Sequence, residues 1–259
     1  MKVQIIEKNT TPLILHGNGK SSREPHGVYN KVIQEFFSKE TPMSLEEELD
    51  LTIVTWKGGK YKNTETILEK FMRFYDFPLL ILDWPENKNF WEGSKAKVTT
   101  TLEAIKNKTI KTKYVLWLDA GDVILLEHPK YILEKFKEIS LNTGTKIIFN
   151  AEKNNYPKPN RMNNISPKVM EQWNETLVND ENNKGPFKYL NSGVLIGETK
   201  ELEKLLETSS NIGPNDPIND TVQCRIAQYL HKDTTTIDTN TDIFACLYDV
   251  ERSDVKILN

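Results

Sequence analysis

The chain has 259 residues, enough for one large α/β domain or two small ones and for a sizeable buried core. Charged residues make up 27% and the formal net charge is −3, so no surplus of positive charge directs it to nucleic acid. No run approaches the roughly 18 apolar residues of a membrane span. The start, MKVQIIEKNTTPLILHGNGK, lacks the long apolar stretch and small-residue cleavage site of a secretion signal. Cys224 and Cys246 match neither a metal-ligand spacing nor a disulfide framework. A soluble, cytoplasmic protein is the expectation. The wealth of Lys, Asn, Thr and Ile fits an AT-rich genome, a large DNA virus being one compatible source.

Thr11 to Leu15 reads as a short strand leading into His16-Gly17-Asn18-Gly19, a tight turn where the backbone can approach a ligand closely. Val28 to Phe37 has apolar residues at helical spacing, and Glu40 to Asp50 is a polar connector or a helix start. Leu49 to Trp56 reads as a buried strand, followed by the turn Lys57-Gly58-Gly59. Thr64 to Phe74 is an amphipathic helix with Ile67, Leu68, Phe71 and Phe74 on one face. Pro78 to Leu82 is a second strand and Val98 to Ile105 part of a second helix. Tyr114 to Leu118, Lys130 to Ile139 and Lys146 to Asn150 continue as strand, helix and strand. Beyond Pro157 the pattern loosens into a loop rich in Asn, Pro and Lys. It resumes with a strand over Tyr189 to Ile196 and helices over Lys200 to Leu206 and Thr221 to Tyr229. This alternation predicts a parallel sheet covered on both faces, with no internal repeat and no linker that divides the chain. Ligands on such sheets lie beyond the carboxyl ends of the strands, where Thr55, Asp119 and Ala151-Glu152 fall.

The apolar run Tyr114 to Leu118 ends in Asp119 and Asp122, after which Val123 to Leu126 turns apolar again. An unpaired buried charge is costly, so a buried strand ending in two carboxylates calls for something cationic beside them. Hard oxygen ligands there suit Mg²⁺ or Mn²⁺, and such an ion typically grips a diphosphate. The plainer reading is a polar strand end and a loop. Phosphatases of the haloacid dehalogenase type also carry aspartates after a buried strand, but with one residue between them; here Ala120 and Gly121 intervene. Nucleotide-sugar transferases use either spacing, and Gly121 leaves room for a nucleotide.

Leu190-Asn191-Ser192-Gly193 offers small polar groups to a sugar, or simply a turn entering a strand. Asp216 and Asp220 sit in a Pro-broken loop, where Asp220 is either a helix N-cap or a carboxylate for a sugar hydroxyl or for catalysis. Lys95 and Lys97 can reach phosphate oxygens or solvate a face. Trp56 and Trp91 can stack a base or fill a core. His16 is a candidate third metal ligand. Two other signals fall short. His231-Lys232-Asp233 lacks the second histidine of an iron site, and Asp238, Asn240 and Asp242 lack the glycine and final glutamate of a calcium loop.

Together these pieces resemble the glycosyltransferase domain of the procollagen lysyl hydroxylases (PLOD type). The likeness rests on Asp119 to Ile124, on Asn150-Ala151-Glu152 with Tyr156-Pro157, on Leu190 to Gly193 with Ile196-Gly197, on the region of Asp216 and Asp220, and on His16 to Gly19. The resemblance implies one GT-A-like α/β domain over residues 1–259, Rossmann-like, its mostly parallel sheet carrying helices on both faces. It implies a UDP-sugar donor and Mn²⁺ (or Mg²⁺) held by Asp119, Asp122 and His16. Nucleotide and phosphate contacts would come from Val54, Thr55, Lys97 and Gly19. It implicates Asp220 in catalysis and Tyr156 near the donor sugar, with Asn191 on the acceptor side. The implied acceptor is a hydroxyl of a protein or glycan, with collagen-like hydroxylysine as the family suggestion.

Several positions depart from the family pattern. Gly121 stands where the family has tyrosine, leaving base stacking to Trp56. Ser22 stands where it has lysine, with Lys20 close enough to substitute. Most of the aspartate run before the Thr221 helix is missing, so a non-catalytic nucleotide-sugar-binding domain is the competing expectation. No part of these 259 residues is expected to form the family's hydroxylase module. His-Gly-Asn-Gly also follows the last strand in the family but precedes the first here, so that residues 1–40 form the family's C-terminal segment. That order is expected of a circular permutation, or of a segment of a tandem array.

Overall fold

A computed structural model of the chain describes residues 1–18, 27–42, 48–58, 62–84, 90–158, 162–181, 183 and 185–258. The elements begin with β1 (Lys2–Ile5), β2 (Ile14–His16), α1 (Val28–Lys39), β3 (Leu51–Lys57), α2 (Ile67–Phe74) and β4 (Leu79–Asp83). They continue with α3 (Phe90–Lys106), β5 (Tyr114–Leu118), β6 (Val123–Leu125), α4 (Pro129–Thr143), β7 (Ile147–Glu152) and α5 (Pro167–Glu181). Last come β8 (Tyr189–Glu198), α6 (Thr199–Asn211), α7 (Asp220–Leu230), β9 (Thr235–Ile237), β10 (Phe244–Cys246) and β11 (Val255–Leu258).

Side-chain alternation along the strands sorts the protein into two cores. In β5, Tyr114, Leu116 and Leu118 point to one side of the sheet and Val115 and Trp117 to the other. The first side is covered by α1, α2 and α4 through Val32, Phe36, Leu68, Phe71, Ile132 and Phe136. The second is covered by α3, α5, α6 and α7 through Val98, Trp173, Leu202, Leu205, Val222 and Ile226. Each such buried side chain contributes roughly 1.5–3 kcal/mol. The result is the α/β architecture expected, a sheet with helices on both faces.

The main sheet has the order β4-β3-β5-β8-β7-β9. Three of its pairings are parallel and two antiparallel: β3 pairs in parallel with β4 and β5, and β7 with β9, whereas β8 runs antiparallel between β5 and β7. The sheet is therefore mostly parallel, with one inverted strand that hydrophobic patterning does not distinguish. A register shift in β7 between Phe149 and Asn150 turns Asn150 out of the alternation. Beside this sheet lies a three-stranded one, β10-β2-β6, and β1 pairs with β11 so that Lys2 faces Leu258.

Local chemistry explains the helix ends. Thr66 and Glu69 form a reciprocal capping box that starts α2 three residues after the expected Thr64 position. α4 opens on Pro129 and stops at Gly144, whose φ of 77° few other residues adopt. α5 forms where the sequence suggested only a loop, anchored by the buried Val169 and Trp173. Among the described residues, no helix is long and apolar enough to cross a membrane.

Candidate active site

The ends of β5, β2 and β8 and the start of α7 meet at one cleft of about 470 Å³. Its position follows from the strand pairings. The Asp119 amide donates to the Gly193 carbonyl at 2.9 Å, which fixes the first acid beside β8. β2 pairs antiparallel with β6, placing His16 opposite Val123 and so next to Asp122; the Gly17 amide donates to the Asp122 carbonyl at 2.7 Å. The glycine turn and the acid pair, remote in sequence, are thus neighbours by register.

His16 Nε2 lies 3.5 Å from Asp122 Oδ1 and 3.9 Å from Asp119 Oδ2. One ligand atom from each of the three residues falls within 4.8 Å of the others. The electrostatics suit a cation. Burial works against protonating His16, yet Asp122, Asp119 and Glu152 outweigh it and raise the imidazole's pKa. Burial, with repulsion from Asp122, raises the Asp119 carboxyl, against the pull of Lys97 and His16. Two carboxylates and an imidazole are donors that Mn²⁺ accepts. The buried Asn150 amide oxygen has no partner, while its nitrogen lies 3.4 Å from His16 Nδ1. Turning that amide over pairs the orphaned oxygen with Nδ1–H and leaves the Nε2 lone pair facing the acids. The residues present therefore fit a divalent ion.

Lys97, on α3, reaches the same point from the helical layer. Its Nζ lies 2.5 Å from Asp119 Oδ1 and 3.4 Å from Asp220 Oδ2. Asp220 is the first residue of α7, and its Oδ2 accepts a hydrogen bond from Ser192 Oγ at 3.0 Å. The helix N-cap is Asn219, whose side chain accepts from the Val222 amide, so the alternative capping role for Asp220 gives way to a place in the cleft. Asn191 holds the Gly193 amide through Oδ1 at 2.9 Å and donates to Glu152 at 3.2 Å. Asn18 also donates to Glu152 at 3.2 Å. Tyr156 lines the cleft together with Asn154, Asn155 and Lys158.

Other expected site residues lie elsewhere. Val54, Thr55, Trp56 and Gly121 are not among the described residues that line the cleft. Val54 and Trp56 occupy strand positions that face the helical layer, and the Trp56 indole packs 4.2 Å from Trp117 and donates to Thr100. As a core side chain it presents no stacking face to the cleft. Thr55 donates its hydroxyl to the Leu118 carbonyl at 2.6 Å, tying β3 to the end of β5. Gly121 sits in the turn between the two acids. Lys95 donates to the Pro214 and Asp216 carbonyls, and Asp216 accepts from the amide and hydroxyl of Ser166; both are loop staples. Gly19, Lys20 and Ser22, and the side chain of Trp91, lie outside the described residues.

Sequence reasoning sets Glu152 at the ligand-facing end of a strand and Asn18 in the glycine turn, but assigns neither of them, nor Asn150, a chemical role. The signal was available: a glutamate closing a buried strand raises the same question as an aspartate does. Both cysteines are free and buried.

The family model described as the PLOD GT domain matches residues 69–258 of the chain. No curated protein matches it. Among solved structures, it is similar to a crystal structure of a glycosyltransferase involved in the glycosylation of the major capsid of PBCV-1. The identity is 14%, the match covers 72% of this chain and 80% of that one, and the TM-score is 0.37, too loose to relate individual residues.

Proposed function

The chain belongs to the PLOD glycosyltransferase-domain family, and from that premise we propose that it moves a hexose, glucose or galactose, from a UDP-sugar to a hydroxyl acceptor on a protein or glycan. A collagen-like hydroxylysine is the acceptor that the family suggests. The observation that carries the proposal is the convergence of His16, Asp119 and Asp122 within 4.8 Å at the mouth of a polar cleft. In this reading the three hold Mn²⁺ or Mg²⁺, which when bound neutralises the diphosphate and stabilises departing UDP as a Lewis acid.

The chain's own groups do the rest. Lys97 pairs with both Asp119 and Asp220 and brings a positive charge to the phosphate side. The family likeness adds Gly19 to the phosphate contacts, with Lys20 as the basic residue next to it in sequence. Ser192 orients Asp220 by hydrogen bonding to it, so that the carboxylate faces the cleft as the group that meets the acceptor hydroxyl or the sugar. Tyr156 and Asn191 flank the donor sugar and the acceptor.

The competing reading, a domain that binds nucleotide-sugar without turning it over, is favoured by the thinned aspartate run around Asp216 and Asp220 and by Gly121 in place of the family's tyrosine. Incubating the protein with Mn²⁺ and a panel of UDP-sugars separates the two. Release of UDP supports transfer, and tight binding without release supports the non-enzyme. The chain order is read as a circular permutation, supported by the pairing of β1 with β11 and by His16 reaching the acids from β2. The rival is a segment of a tandem array.

A further inference from the structure

Arg225 is a charged residue in an otherwise apolar stretch of α7, Cys224 to Ala227, and its side chain is only 1% exposed. Its guanidinium is shared between two other parts of the chain. Nη1 donates to Asn155 Oδ1 at 2.6 Å, and Nη2 to the Asp180 carboxylate near the end of α5. The guanidinium carbon lies 4.4 Å from the Trp173 ring centroid and 5.3 Å from that of Tyr189. Asp180 neutralises the charge, the aromatic rings fix the plane, and the fork geometry aims the remaining donors.

What Arg225 holds is part of the cleft. Asn154, Asn155, Tyr156 and Lys158 all line it, and so do Asp220 and Thr221 in the first turn of the helix that carries Arg225. A second tie on this segment, Asn154 Nδ2 to Asp249 Oδ2 at 2.9 Å, is exposed and readily exchanged for water. The tie through Asn155 ends on a buried cation and cannot be exchanged so easily.

We propose that Arg225 is a positioning residue, which fixes residues 153–158 against α7 and so sets the spacing between Tyr156 and Asp220 on the acceptor side of the cleft. This rests on the reading of the cleft as a transferase site. Arg225 touches no reacting group itself, and its effect runs through Asn155.

Two variants test it. Arg225→Lys keeps a charge against Asp180 but has no second arm for Asn155, and Asn155→Ala leaves the buried pair intact. Both are expected to exchange the backbone amides of 153–158 about tenfold faster than wild type, as loss of one charge-assisted hydrogen bond implies. UDP affinity with Mn²⁺ should be unchanged. With UDP-glucose as donor and galactose or free hydroxylysine as acceptor probe, the acceptor KM should rise about tenfold. Unaltered exchange in both variants overturns the proposal, and so does a parallel loss of UDP affinity, the mark of general loosening. If wild type transfers to neither probe, the transferase reading is what suffers, and the exchange rates still decide the role of Arg225.

Discussion

Gly193 and His16 meet without room for one more carbon: a Cβ on Gly193 would lie 2.4 Å from His16 Cε1 and 2.8 Å from Asp119 Oδ2. The bare backbone of β8 is what lets the imidazole sit beside the acids. Gly193→Ala should displace the ring or the carboxylate and weaken Mn²⁺-dependent UDP binding by at least about tenfold, with a folding cost of about 1–3 kcal/mol. Titration calorimetry with and without Mn²⁺, alongside thermal melting, checks this. Equal UDP affinity in variant and wild type would contradict it.

Lys97 is the cation already in place. Burial lowers its pKa, but Asp119 and then Asp220 more than reverse this, so the ammonium stays charged. Replacing it in Lys97→Met leaves two acids facing each other with one fewer counter-charge. The expected stability loss is about 2 kcal/mol, less than for a fully buried pair because Asp119 is 25% exposed. UDP binding should weaken as well. Chemical denaturation and a UDP titration measure both, and a fully stable Lys97→Met with unchanged affinity would remove Lys97 from the account.

Asp220 separates binding from turnover. Asp220→Asn keeps the shape of the side chain and can still accept from Ser192, so UDP affinity with Mn²⁺ should hold within about twofold. Release of UDP from the donor should fall about 100-fold or more, the scale of a lost acid–base group. Retained turnover would assign the role to another residue.

Glu152 gives the protein a pH signature. Burial pushes its carboxyl up to about 7, against hydrogen bonds from Asn191 and Asn18. In the unfolded chain a glutamate titrates near ~4.3. Between these values the folded protein keeps a proton that the unfolded chain has released, so this group's share of stability is present at low pH and declines as pH rises toward about 7. Glu152→Gln, neutral throughout, should therefore raise the melting temperature of metal-free protein more at about pH 8 than at about pH 5. A variant whose shift is the same at both pH values would show that Glu152 titrates normally.

Much of this architecture is legible in the residues. A fully apolar strand closed by two acids, as in β5, has few places to go but the middle of a sheet with its end at a ligand. β3 and α2 are readable for similar reasons: continuous apolar character in one, a face of Leu68 and Phe71 in the other. The direction of β8 is not, because a strand buried on both faces has the same pattern either way up. The three-residue strands β9 and β10 are too short for any periodicity to register. Residue type alone leaves Trp56 either to the nucleotide or to a core, and its parity along β3 decides for the helical core. His16 reached the acids through the family likeness, since nothing in a glycine turn says which strand will lie beside it. Arg225 carries a signal of its own, since a lone arginine among Cys224, Ile226 and Ala227 marks a buried charge that must find partners.

The central claim is that His16, Asp119 and Asp122 together hold the divalent ion on which UDP binding depends. The most direct measurement is UDP affinity by calorimetry for wild type in Mn²⁺, wild type after chelation, and Asp122→Ala in Mn²⁺. The account predicts tight binding in the first case and a loss of at least about tenfold in the other two. Equal affinity across all three would contradict it.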